Sequence, residues 1–323
     1  MGFVLSLEQA NSFLRTHKDE FAFYAPKLYP GTGTFTDTDI VRYGEIEKFD
    51  EIVFDKKSDY SFKEIILPIS QTLFYFTEDK VTVPKNDARK PVIFMRSCDI
   101  HALKRMDQIY LQNKFEDPFY KALRENLIVV LMGCPSSFDT CFCVSMGTNT
   151  TDEYDIYIKV DGDKVIVDEK KEIKPEFVSE NAYKVHVPEN IPSSIKQSKM
   201  WEEYNSRCIS CGRCNFACPT CTCFTMQDIF YSDNAKVGER RRVWASCEVD
   251  DFDTIAGGIK FRKTKGDRMR YRVMHKVSDH KKRFGVHMCV GCGRCDAICP
   301  EYISFANCIN KLEDAIKEVE GNE

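Results

Sequence analysis

Nowhere in the 323 residues is there an apolar run long enough to cross a bilayer, and the opening Met-Gly-Phe-Val-Leu has neither the charged nor the apolar region of a secretion signal. A reducing cytoplasm is therefore the expected compartment, with no membrane partner. Low-complexity tracts are absent, and so is a Walker loop; Gly31-Thr32-Gly33 does not follow a strand with the remaining glycine of a dinucleotide fingerprint. Flavin and NAD are therefore expected elsewhere than on this chain, and so is sirohaem, because the thiolates that its axial ligation would need are already committed. A net charge of −4 points to neither nucleic acid nor membrane as a global partner.

What the chain has in abundance is cysteine, 16 residues of it. Disulfide scaffolds belong to short secreted chains, which this is not. Eight of the cysteines form two copies of one run, Cys208-x2-Cys211-x2-Cys214-x3-Cys218-Pro219 and Cys289-x2-Cys292-x2-Cys295-x3-Cys299-Pro300. Three thiolates at such short intervals reach three irons of one [4Fe–4S] cube, while the fourth, followed by Pro, completes the other cube of a two-cluster ferredoxin. The expected sets are Cys208, Cys211, Cys214 and Cys299 for cluster one, and Cys289, Cys292, Cys295 and Cys218 for cluster two. Structural zinc fits poorly, since it takes two separated pairs rather than four thiolates within eleven residues.

Length and a hydrophobic content of 43% suit two globular domains, divided as 1–190 and 191–323 with an insertion at 224–287 and a Pro-containing boundary at Pro188–Ser198. The first reads as α/β: a helix over Leu7–His17, strands over Glu64–Ile69, Pro91–Met95 and Leu127–Met132, a helix over Asp99–Gln112, and a hairpin over Asp155–Asp168. The second reads as a mainly helical, bacterial-ferredoxin-like domain. Its expected helices are Ser194–Asn205, capped by Ser194, and a C-terminal segment with Ile303, Ala306, Ile309, Leu312, Ile316 and Val319 on one face.

If Pro91–Met95 and Leu127–Met132 are parallel, Cys98 and Cys134 lie at one carboxyl edge, where open α/β sheets build their sites. Cys141 and Cys143 follow in a Ser-, Asp- and Gly-rich loop, so four thiols can converge on a third cluster; zinc with His101, or inert buried thiols, are the alternatives. Cys221, Cys223, Cys247 and Cys308 fall outside the ligand count and read as packing or outer-shell groups. Lys260–Arg283 holds eleven Lys or Arg, read first as a solvated basic face, next as a surface for an acidic partner or an anion near the clusters, and third as a nucleic-acid surface.

Six segments carry a resemblance: Arg96-Ser-Cys98-Asp-Ile-His-Ala-Leu103; Cys134 with Thr140-Cys-Phe-Cys-Val-Ser-Met-Gly147; Arg207–Cys214; Cys218-Pro-Thr-Cys-Thr-Cys223; Arg240-Arg-Arg-Val-Trp-Ala-Ser-Cys247; and Met288–Cys295. Together they resemble the iron–sulfur electron-transfer subunit of anaerobic sulfite reductase over nearly the whole chain. A related pattern belongs to the iron–sulfur β subunits of cytoplasmic sulfhydrogenases. The resemblance implies an electron-transfer protein without an active site of its own. It would relay electrons from a flavin subunit that oxidises NADH to a sirohaem subunit that reduces sulfite to sulfide. The alternatives are a sulfhydrogenase β subunit and, further off, a nucleic-acid-binding redox sensor. For Cys98, Cys134, Cys141 and Cys143 the family pattern is matched as well, which favours the third cluster.

Overall fold

The computed structural model describes residues 2–33, 37–85 and 87–321. Nine strands come from the first half: β1 (Phe3–Ser6), β2 (Phe21–Tyr29), β3 (Ile40–Glu45), β4 (Ser70–Phe76), β5 (Val81–Thr82), β6 (Lys90–Met95), β7 (Ile128–Met132), β8 (Ile156–Asp161) and β9 (Lys164–Asp168). Seven of them form one sheet in the order β1-β9-β8-β7-β6-β2-β3. Its centre is parallel, β8, β7, β6 and β2 side by side, and its margins are antiparallel. The hairpin expected at Asp155–Asp168 is β8–β9, and the two apolar runs are the adjacent parallel strands β6 and β7.

These strands are apolar without interruption because both faces are covered. On one face Val92, Phe94, Val130 and Met132 pack with Ala10 and Leu14 of the helix α1 (Leu7–His17). Ile93, Met95, Val129 and Leu131 alternate to the other face, against Leu103 and Met106 of α3 (Ser97–Tyr110). Ser6 and Gln9 close α1 with a capping box, Gln9 N–H donating to Ser6 Oγ at 3.2 Å and Ser6 N–H to Gln9 Oε1 at 2.8 Å.

Glu64–Ile69 is not a strand. Lys63–Ile66 is a short helix, α2, which ends at Leu67, the residue before Pro68, as the steric restriction before proline favours. A second sheet crosses the two halves: β10 (Phe224–Phe230) and β11 (Gly238–Trp244) form a hairpin, and β11 also pairs with β4, giving β10-β11-β4-β5. The fold is therefore mixed α/β, with an N-terminal sheet domain and a C-terminal region of short helices around the cysteine runs. Ser194–Asn205 is two 3₁₀ turns and a short helix, and Ser198 rather than Ser194 accepts the capping hydrogen bond, from Met200 N–H. The C-terminal segment is two helices, Phe305–Asn310 and Leu312–Glu320. Trp201, Tyr204, Met269, Val273, Val277, Phe305 and Ile309 build the core that carries the runs. Among the described residues, no helix is long and apolar enough to cross a membrane.

Candidate iron–sulfur centres

Cys208, Cys211, Cys214 and Cys299 line a surface-open cavity of about 450 Å³, with Cys295, Glu248, Met269 and Arg272 around them. Gly212 takes φ 73°, the left-handed turn that swings the chain from Cys211 into the helix Arg213–Ala217. Backbone N–H groups aim at the sulfurs: Ser210 N–H donates to Cys208 Sγ and Ile303 N–H to Cys299 Sγ, both at 3.4 Å.

Cys218 lies away from that cavity. It stands close enough to Cys289, Cys292 and Cys295 for its charge to raise the pKa of all three, whereas Cys299 acts in this way on Cys208. The fourth cysteine of each run thus sits with the other run.

The third group is built by the sheet. Met95 of β6 pairs with Leu131 of β7, so Cys98, in the first turn of α3, and Cys134 leave neighbouring strands at one edge. Cys134 N–H is tied to Glu176 O at 2.9 Å, and Phe142 N–H, between the other two thiols, to Gly291 O at 2.8 Å. All four cysteines line one cavity of about 320 Å³, shared with Lys57, Arg96, Asn181, Cys292 and Arg294. His101 is not in that lining: its Nε2 is 2.8 Å from Thr150 O and its Nδ1 3.4 Å from Arg105 Nη1.

The donor chemistry suits cubane clusters. Among the described residues, no three His, Cys, Asp or Glu side chains gather as they would around a single ion; a cube instead takes thiolates spread around it, each on its own iron. Burial pushes the thiols of Cys98, Cys134, Cys208 and Cys295 up, and those of Cys143, Cys214 and Cys289 up to about 12, so that metal rather than water must draw off their protons.

Buried cations stand among these thiols. Arg272 lies near Cys214 and Cys295, stacks over Phe305 at 4.4 Å, and among the described residues its Nε and Nη2 have no hydrogen-bond partner. Lys276 Nζ donates to Thr220 Oγ1 at 2.9 Å; burial opposes its charge, yet Cys218 and Cys221 hold its pKa above the usual lysine range. Lys63 Nζ donates to Asn215 O and Cys221 O, and lies 4.0 Å from the Trp244 ring centre. Buried charge is costly unless compensated. Anionic clusters at these cysteines would compensate it.

Lys260–Arg283, expected as a solvated basic face, turns partly inward. Arg268, Arg272 and Lys276 are buried, while Lys263, Lys281, Lys282 and Arg283 remain exposed. The four-residue spacing of the buried three is the signal for one helical side, and the pattern of apolar Met269, Val273 and Val277 beside it shows that this side packs into the core.

Fold and motif together define a protein with a [4Fe–4S] dicluster region: residues 207–303 match a family model described as a 4Fe-4S dicluster domain. The chain is 29% identical over 307 residues to sulfhydrogenase 2 subunit beta of Pyrococcus furiosus, covering 85% of this chain and 90% of that one. It is an iron–sulfur protein related to that β subunit, which sets the sulfhydrogenase side of the motif resemblance ahead of the sulfite reductase side. No solved structure matches.

Proposed function

We propose that this chain is the electron-relay subunit of a multi-subunit oxidoreductase of the sulfhydrogenase type. It would hold three [4Fe–4S] clusters in a row: Cys98, Cys134, Cys141 and Cys143; then Cys289, Cys292, Cys295 and Cys218; then Cys208, Cys211, Cys214 and Cys299. The observation that carries this reading is the position of the second run between two cavities. Its Cys292 lines the cavity of the sheet-edge thiols, and its Cys295 lines the cavity of the first run.

When bound, each cubane accepts and passes one electron at a time. The protein's part is to hold the thiolates, exclude water and set local charge. Arg272 and Lys276 favour added negative charge at the two ferredoxin-type sets, and Lys57, whose Nζ donates to Cys292 O at 3.1 Å, does so where the second and third sets meet.

The test is the assembled complex, purified without oxygen. With hydrogen as donor, EPR should show cubane signals from this chain, and a complex lacking the chain should lose electron transfer between the remaining subunits. A second reading, the NADH-linked reduction of sulfite, rests on the combination of the ferredoxin-type runs with the motifs Thr140–Gly147 and Arg240–Cys247. Co-purification with sirohaem and reoxidation of the reduced clusters by sulfite would favour it. Clusters that no donor reduces in the intact complex would contradict a relay of either kind.

A further inference from the structure

Three thiols left over by the cluster sets stand together rather than scattered. Cys223 directly precedes β10 and Cys247 lies three residues beyond β11. These strands pair Phe224 with Trp244, and Ala245 N–H donates to Cys223 O at 3.0 Å, so the open end of the hairpin brings the two cysteines side by side. Their side chains are close enough for each to shift the other's pKa. Asn215, next to Cys214, donates from Nδ2 to Cys247 Sγ at 3.1 Å and fixes that side chain. Cys247 is buried, whereas Cys223 is half-buried and lines, with Cys221, a surface cleft between Pro68, Tyr110 and Trp244.

A cysteine that merely fills space looks different. Cys308 is wholly buried in the core with Tyr204, Phe305 and Leu312. Cys223 instead has a second thiol in contact, a route to solvent, and the ammonium groups of Lys276 and Lys63 within electrostatic reach. The neighbouring Cys247, aided by these cations, pulls the Cys223 thiol below the usual cysteine range, while Cys223 and burial hold Cys247 up. A nucleophilic thiolate beside a resolving thiol is the arrangement that forms and opens a disulfide.

We propose that Cys223 and Cys247 form a dithiol/disulfide centre that exchanges two electrons with the [4Fe–4S] clusters; this rests on the relay reading above. In oxidation the Cys247 S–H bond breaks, its proton and any on Cys223 leave through the cleft, and the Sγ–Sγ bond forms. The two electrons released go singly to two oxidised clusters, each reduced by one. Reduction runs the same steps backwards, two reduced clusters each giving one electron and solvent returning the protons. The centre would thus hold an electron pair beside carriers that move one electron each.

The test uses the full holoprotein, held without oxygen either with dithionite or with an oxidising dye, alkylated with N-ethylmaleimide, and digested for mass spectrometry. The oxidised sample should yield Cys223 and Cys247 as a linked peptide pair, and the reduced sample both as alkylated peptides. Reductive titration should take up about two electrons more per chain in the native protein than in Cys223→Ser or Cys247→Ser, at equal iron content, and Cys308→Ala should change neither result. Free, alkylated thiols in the oxidised sample would overturn the proposal. So would loss of iron in either serine variant, which would make these residues cluster ligands. A native chain without iron would sink the relay reading itself, whereas full iron with no linked pair sinks only the disulfide centre.

Discussion

Gly212 and Gly293 hold the same place in the two cysteine runs and take similar φ values, 73° and 65°. A methyl group added at Gly293 would meet the carbonyl oxygen of Thr140 at 2.0 Å, whereas the nearest atoms to one at Gly212 are side-chain atoms of Ser246 and Val249, at 3.0 Å. The next residues differ in the same way. Arg294 is buried, bound to both oxygens of Asp99 at 2.7 and 3.0 Å and to Ser58, while Arg213 is half-buried. Cys292 is buried and its counterpart Cys211 exposed. One spacing thus serves two purposes: the second run is fastened against the sheet domain, and the first keeps a face toward solvent where a partner can approach.

The two surroundings also differ in how they treat charge. Around the second run the buried arginine is fully paired. Around the first, both carboxylate oxygens of Glu248 and two nitrogens of Arg272 have no hydrogen-bond partner among the described residues, although both residues are buried.

The largest effect is expected at the fastening. Arg294→Ala strips Asp99 of its cation in the core, leaving it the Tyr43 hydroxyl at 3.3 Å, and should cost about 3–5 kcal/mol, measured as the shift in the denaturation midpoint of the full chain. A change within about 0.5 kcal/mol, the range of ordinary surface substitutions, would mean the pair does not hold the halves together.

Next comes Glu248. Burial raises its pKa to about 7 against the pull of Arg272, Arg268 and Arg262. The folded state therefore binds this proton more tightly than the unfolded state, so the associated stability is full below an unfolded carboxyl pKa of about 4.3 and is lost as pH rises through about 7. Glu248→Gln should accordingly gain stability over the native chain between pH 5 and pH 8, by about 3 kcal/mol at the upper end. Parallel stability curves for the two proteins across that range would refute the assignment.

The smallest effect separates the glycines. Gly212→Ala should cost about 1–2 kcal/mol from the left-handed backbone alone. Gly293→Ala should cost about 2 kcal/mol more, because backbone at Thr140 must move. Equal costs would remove the distinction between a fastened and a free run.

Much of this was legible because the signals are local. The ferredoxin-type spacing lies within eleven residues, and β6 and β7 announce themselves as short, continuous apolar runs. Their parallel pairing is what puts Cys98 and Cys134 at one edge. The apolar run at Glu64–Ile69 misled because a run that short does not distinguish strand from helix. What anchors α2 is distant: the Lys63 ammonium reaches the carbonyls of Asn215 and Cys221, about 150 residues away along the chain. No local pattern announces β4 pairing with β11 either, or Arg294 meeting Asp99. The inward turn of Arg268, Arg272 and Lys276 was written in their spacing, but basic side chains ordinarily face water, and the partners that offset that preference, Asp250 for Arg268 and cysteines for Arg272 and Lys276, come from other segments.

A row of three cubane clusters, with the second cysteine run in the middle, stands or falls on the metal content of the full chain. The decisive measurement is iron and acid-labile sulfide analysis of protein prepared without oxygen, paired with EPR of the reduced form. About twelve irons and twelve sulfides per chain are expected, with magnetically interacting signals from neighbouring cubes. Cys98→Ser should lower both contents by about four, one cube's worth. About eight irons, unchanged by that substitution, would contradict the three-cluster row.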